Sequence, residues 1–142
     1  MAKEYIPVAL RRLVQARAQG HCEYCRISER YALQSMVCDH IFPLSRGGPT
    51  TAINLAWACC GCNGFKSDRT AVIDPVSNQL VPLFHPRQML WYEHFDWSED
   101  ALLVVGRSPI GRAMEKTLQL NREGVINIRQ LLCGVGQHPP NF

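Results

Sequence analysis

Two runs decide the fold: Cys38-Asp39-His40-Ile41-Phe42-Pro43-Leu44-Ser45-Arg46-Gly47-Gly48 and its answer, Cys59-Cys60-Gly61-Cys62-Asn63-Gly64-Phe65-Lys66. The first sets a carboxylate beside an imidazole and then breaks into a Pro/Gly loop. The second brings a Cys-x-x-Cys pair, an amide and a lysine to follow it. Upstream, Cys22-Glu23-Tyr24-Cys25 supplies a matching pair. Two cysteines separated by two residues turn both sulfurs toward one ion, so Cys22, Cys25, Cys59 and Cys62 form a structural zinc set. An iron–sulfur cluster or a chance spacing is the alternative. Thirty-three residues lie between Cys25 and Cys59, longer than a zinc-finger spacer, so something is inserted between the pairs.

The insertion reads as strand, loop, strand, helix. Residues 36–42 are apolar and strand-like, and Pro43 with Gly47-Gly48-Pro49 marks the loop. Residues 55–58 form the returning strand, entered from Asn54. A helix starts near Cys60 and runs toward Asp68, with Asn63 and Lys66, three apart, on one face.

Outward from this centre, residues 6–18 carry Ile6, Ala9, Leu10, Leu13 and Val14 at helical spacing, with Pro7 suited to the first helical position and Gly20 to the end. Arg11, Arg12 and Arg17 lie mainly off that stripe, as a solvated face or as phosphate contacts. Downstream, residues 79–84 are strand-like, and Pro86 opens a short helix through Trp91 and His94. Residues 95–97 and 101–105 form a hairpin. Ser108-Pro109 caps a helix with Ile110, Ala113, Met114, Thr117 and Leu118 inward. Residues 123–133 form the last helix, stopped at Gly134, with Val125, Ile128 and Leu132 inward. The expected architecture is α+β: a single domain over 1–142, comprising a helix plus zinc-stapled core at 7–70, an α+β extension at 71–133 and a loose tail at 134–142.

The 142 residues, 46% apolar and 19% charged, describe a globular chain with a modest core. No run of 18 apolar residues spans a membrane, and the N-terminus lacks a signal-type apolar run, so a cytoplasmic location with reduced thiols is expected. Cys38, Cys60 and Cys133, left over from the pairs, are expected to be small buried hydrophobes. The formal charge is +3, and four thiolates on one zinc would bring it to +1, so only local clusters of Arg and Lys argue for nucleic acid.

Phosphodiester hydrolysis needs a base for the attacking water, charge to neutralise the transition state and a stabilised leaving oxygen. His40 is the natural base, because imidazole titrates near physiological pH. Asp39 and Asn63 offer hard oxygen ligands that favour Mg²⁺ or Mn²⁺. Lys66 and Arg69, with Arg46 beside the glycine pair, are candidates for phosphate contact.

These residues resemble the HNH endonucleases, the zinc-bearing ββα-metal group. The likeness rests on Cys22-x-x-Cys25, Asp39-His40-Ile41-x-Pro43-Leu44-Ser45-x-Gly47-Gly48, Asn54-Leu55, and Cys59-x-x-Cys62-Asn63-x-x-Lys66. It implies that His40 is the general base, that Asp39 and Asn63 bind the catalytic metal, and that Asn54 orients the loop and the base. It also implies duplex DNA as partner, entered through the minor groove with backbone contacts, and nicking with weak sequence preference. The family often has His where Asn63 stands, and the change favours Mg²⁺ over imidazole-loving ions. A weaker likeness to a bacterial subgroup runs through Asp74-Pro75, Pro82-Leu83-Phe84-His85-Pro86-Arg87, Trp91-x-x-His94-Phe95-x-Trp97 and Gly111-Arg112-Ala113, with Asn expected where His85 stands. His94 reads as a packing or hydrogen-bonding residue among aromatics, and His21, His85 and His138 as structural or surface residues. The rivals are a non-catalytic zinc module that binds nucleic acid, and the same chemistry on RNA or branched DNA.

Overall fold

The computed structural model describes residues 5–142; the first four, which open the expected domain, lie outside it. The chain is α+β, and the described residues form short helices and three two-stranded antiparallel sheets. Helix α1 (Val8–Arg17) follows Pro7, whose carbonyl accepts the Arg11 N–H, so the proline sits just before the first turn rather than in it. Val14 and Ala18 turn inward, Ile6 and Leu10 are half-buried, and Leu13 stays exposed. A helix this short gains its stability by lying against a sheet rather than from propensity.

Strand β1 (Val37–His40) pairs with β2 (Leu55–Ala58), placing Asp39 opposite Ala56 and His40 opposite Leu55. Every residue of β2 is buried, whereas β1 buries only Asp39. The hairpin is therefore closed on the β2 side and reachable along β1. Helix α2 (Cys60–Lys66) starts directly from β2, and the Cys59 sulfur accepts the Cys62 N–H at its N-terminus.

The extension adds the β3–β4 hairpin (Ala71–Ile73, Leu80–Pro82), α3 (Trp91–His94), the β5–β6 hairpin (Phe95–Trp97, Val104–Gly106), α4 (Pro109–Thr117) and α5 (Glu123–Gly134). Ser108 caps α4 by accepting the Gly111 N–H at 3.0 Å, with proline at its first position. One strand is new and two expectations shift. β3 has no sequence expectation; its three residues pair because the Asp74 carboxylate gathers the Val76 and Ser77 N–H groups into the turn. The expected helix from Pro86 shrinks to α3, since residues 85–89 close a turn on the His85 carbonyl. The second strand of the later hairpin starts at Val104 rather than 101, because Ser98 and Asp100 hold the loop and Ala101 takes a left-handed φ of 63°.

One continuous apolar cluster joins the cysteine knuckles and β2 to Phe84, Trp91, Phe95, Met114, Leu118 and Val125 of the extension. Arg129 of α5 crosses that junction fully buried, donating to the carbonyls of Cys25 at 3.1 Å, Leu120 at 2.8 Å and Leu102 at 2.9 Å. The tail at 134–142, expected to be loose, packs down. The His138 ring is buried, bonded to the Ala101 carbonyl at 2.8 Å and set edge-on to Trp97. Phe142 meets His21, and its carbonyl accepts from Arg26. Its Pro/Gly content suggested looseness, but its aromatic and imidazole rings supply apolar surface that is worth covering. No described helix is long and apolar enough to cross a membrane.

Candidate metal and hydrolytic site

The first knuckle is a tight turn after α1, closed by the Arg26 N–H on the Cys22 carbonyl. The second is the β2–α2 junction. The Glu23 N–H donates to the Trp57 carbonyl and the Trp57 N–H to the Glu23 carboxylate, so the two knuckles are locked side by side. The result brings the sulfurs of Cys22, Cys25, Cys59 and Cys62 within 4.8 Å of one another, all buried, with Cys25 and Cys59 at 3.7 Å. Tetrahedral zinc at Zn–S of about 2.3 Å requires sulfurs about 3.8 Å apart, so this donor set fits a structural zinc. Burial pushes the Cys22 thiol up, while hydrogen bonds from the other three sulfurs hold Cys59 far below its ordinary value. So dense a set of sulfurs in a dry site calls for a cation.

One cationic group meets these sulfurs from outside, and no sequence signal pointed to it. Arg122, just before α5, donates to Cys59 Sγ at 3.2 Å and to Cys62 Sγ at 3.7 Å, and its guanidinium lies over the Phe65 ring. Burial alone would lower its pKa, but the charges of Cys62, Cys25 and Cys59 hold it above the ordinary value. Gly61 makes room: a Cβ there would stand 2.5 Å from the Arg122 terminal nitrogen.

The second site lies along β1. His40 is half-buried, its Nε2 2.9 Å from Thr50 Oγ1 across the loop. Asn54, buried at the foot of β2, clamps that loop: Oδ1 accepts the Phe42 N–H at 2.8 Å, and Nδ2 donates to the carbonyls of Phe42 and Pro49. The clamp needs Gly48, where a Cβ would stand 1.9 Å from the Phe42 carbonyl oxygen. Asp39 is 4% exposed. Its Oδ2 accepts from Tyr24 OH at 2.7 Å and its Oδ1 from Lys66 Nζ at 3.2 Å. Burial pushes the Asp39 carboxyl above its ordinary value, with the Lys66 charge and the Tyr24 hydroxyl pulling the other way.

The expected phosphate role of Lys66 is corrected here. Its side chain is fully buried, and it donates to Asp39 and to the His40 carbonyl at 2.9 Å. It points inward because α2 lies across β1, and the carboxylate compensates a charge that burial would otherwise penalise. Lys66 therefore ties α2 to the Asp39-His40 pair. Asn63, one turn earlier on α2, is half-buried. Arg46 and Arg69 remain exposed and meet around the end of α2, Arg46 on the Asp68 carbonyl and Arg69 on the Phe65 carbonyl, each at 2.8 Å. None of the three spare cysteines is buried as expected: Cys38 and Cys133 are half-buried, and Cys60 is exposed, because the first turn of α2 must aim Cys59 and Cys62 inward. Arg11 donates to the Met36 carbonyl over the Trp57 ring, and Arg17 donates to the Leu55 carbonyl. His94 hydrogen-bonds Ser108 Oγ at 2.7 Å beside Phe84.

A β-hairpin leading into a helix, with a four-thiol site at its base and a His-Asp pair on its open strand, defines a zinc-stapled hairpin–helix module. Residues 22–69, about a third of the chain, match the HNH endonuclease family. No curated protein and no solved structure matches the chain.

Proposed function

We propose that the protein is a metal-dependent endonuclease that hydrolyses phosphodiester bonds in duplex DNA, nicking with low sequence specificity. The observation that carries this reading is the Asn54-clamped loop, which fixes the half-exposed His40 ring at the open edge of β1. In this reading neutral His40 takes the proton of the attacking water, and the Thr50 contact holds its ring in place. Asp39 and Asn63 hold Mg²⁺ or Mn²⁺, hard cations suited to carboxylate and amide oxygen. The cation supplies charge against the transition state and the leaving oxygen. Arg46 and Arg69 line the approach and contact backbone phosphates, which gives weak sequence preference and strong salt dependence. The zinc set holds the frame. Residues 5–142 act as one unit, and the expected setting is the reducing cytoplasm.

The Lys66–Asp39 pair also supports a second reading. A carboxylate already neutralised inside the fold suits a zinc module that binds nucleic acid without cutting it. Plasmid nicking with Mg²⁺ separates the two, with zinc content measured in each preparation. His40→Ala should lower nicking by about 10²–10⁴-fold while leaving zinc content unchanged. Equal activity in the variant, or none in zinc-loaded wild type with either divalent ion, would remove hydrolysis from the account. Single-stranded, duplex and branched DNA and RNA substrates, run in parallel, fix the substrate class.

A further inference from the structure

Asp39 is the buried residue of β1, and two side chains reach it, one from each cysteine knuckle. Tyr24 lies between Cys22 and Cys25 in the first knuckle, and its hydroxyl donates to Asp39 Oδ2 at 2.7 Å. Lys66 lies four positions after Cys62 on α2, so one buried face of that helix carries a thiol and the ammonium together. The thiol set therefore anchors both partners of the carboxylate.

The two partners act differently. Lys66 Nζ stands 3.2 Å from Oδ1 and 3.2 Å from Oδ2. An ammonium is a compact charge with rotatable donors, so at equal distances it neutralises the carboxylate without distinguishing its oxygens. Tyr24 does distinguish them. A phenol has a single O–H, and its contact with Oδ2 is shorter than either ammonium contact. Lys66 already balances the Asp39 charge, so the phenol is not needed for neutrality, and what it adds is orientation.

Tyr24 is itself firmly placed. Its side chain is fully buried, and its carbonyl accepts the Trp91 indole N–H at 3.1 Å. The next carbonyl, that of Cys25, accepts from Arg129 at 3.1 Å. The extension thus holds the backbone from which the phenol projects. Its hydroxyl meets the carboxylate where water does not compete, and there a charge-assisted hydrogen bond is strong and directional.

We propose, on the reading that Asp39 and Asn63 take up a hard cation, that Tyr24 is a positioning residue. It turns the Asp39 carboxylate so that Oδ1 is the oxygen offered at the β1 edge. Oδ2 is committed to the phenol, whereas Oδ1 shares a rotatable ammonium and keeps a lone pair. Without the hydroxyl, the carboxylate is free to turn both oxygens fully toward Lys66, and the ammonium then competes with the cation for each of them. One hydroxyl links the first knuckle to the hydrolytic site.

The test uses the zinc-loaded full chain with a short duplex and reads Mn²⁺ affinity by electron paramagnetic resonance. Tyr24→Phe keeps the ring and removes one oxygen. It should weaken Mn²⁺ binding about tenfold, the worth of one hydrogen bond to a charged group, with one zinc per chain retained. Ser108→Ala removes the α4 cap and leaves the Asp39 partners in place. It should lower the melting temperature without changing Mn²⁺ affinity. Equal weakening in both variants would assign the effect to overall stability and overturn the proposal, as would unchanged or tighter Mn²⁺ binding in Tyr24→Phe. Absence of Mn²⁺ binding in the wild type would instead overturn the reading of Asp39 and Asn63 as ligands, and the role of Tyr24 with it. Where Tyr24→Phe fails to fold, Mg²⁺ titration of the wild type decides by NMR. The Tyr24 ring resonances should shift saturably with the same midpoint as the Asn63 side-chain amide, while those of exposed Tyr31 stay in place. Stationary Tyr24 resonances with a shifting Asn63 amide would overturn the proposal.

Discussion

The thiol set and the β1 edge share one segment of chain but are built in opposite ways. The four sulfurs converge from two turns, are wholly buried and are of one chemical type. The β1 edge draws on a strand, a loop and a helix, and it leaves the His40 ring half-exposed while sealing Asp39 beneath it. The knuckles can be closed because their task is to hold shape. On the proposed reading the β1 edge must stay reachable, and its order comes from clamps at a distance: Asn54 on the loop, and Lys66 beneath the strand. Lys66 joins the two regions, since it sits on the helix that the second knuckle starts.

Breaking the closed region should have the largest effect. Zinc binding in small domains supplies on the order of 10 kcal/mol of folding free energy. Cys22→Ser should therefore lose both zinc and cooperative unfolding, read by metal analysis and calorimetry. Unchanged melting and metal content would remove Cys22 from the ligand set.

The link between the regions comes next. Lys66→Met leaves Asp39 buried without its cation, which should cost about 3–5 kcal/mol in denaturant unfolding. Adding Asp39→Asn should recover most of that loss. A Lys66→Met protein of wild-type stability but weakened DNA binding would return the lysine to the surface.

Arg122 tests how far the extension supports the knuckles. Arg122→Ala should weaken zinc retention about 10–100-fold against a chelator, and Arg122→Lys should restore only part of it, since an ammonium lacks the planar fork. Zinc retention equal to wild type in both variants would make the Arg122 contact incidental.

The smallest effect belongs to Asp74, buried in the β3–β4 turn. Its carboxyl is held far below the ordinary value, first by the Arg112 guanidinium and then by Ser77 and the Val76 N–H. The folded pKa lies below the unfolded one. Its contribution is thus complete above about pH 4, the unfolded value, and fades as pH falls toward the folded value. Melting temperature should drop less steeply on acidification in Asp74→Asn than in wild type, and parallel curves would contradict the assignment.

The parts written in short-range spacing were legible in the sequence. Cys-x-x-Cys pairs, the Asp39-His40 step, the Gly47-Gly48 loop and the Ser108-Pro109 cap each constrain neighbours in the chain, and each falls where it was expected. What stayed hidden was set by partners far apart in sequence. The inward turn of Lys66 depends on a carboxylate 27 positions away. Arg122, just before the last helix, and Arg129, within it, lie among ordinary polar residues, yet reach the knuckles across 63 and 104 positions. The tail looked loose because proline and glycine dominate its local reading, while its buried His138 answers to Trp97. A lone cation carries no mark in the sequence that separates a solvated face from a buried clamp.

The central claim is the proposal that the segment holding the buried thiol set also takes up a hard cation through Asp39 and Asn63. Zinc-loaded protein with a short duplex, titrated with Mn²⁺ and followed by electron paramagnetic resonance, tests it most directly. The account predicts one Mn²⁺ per chain in addition to the retained zinc, lost in Asp39→Ala and in Asn63→Ala without loss of zinc. Mn²⁺ binding that survives both substitutions, or no Mn²⁺ binding to the zinc-loaded protein, would contradict it.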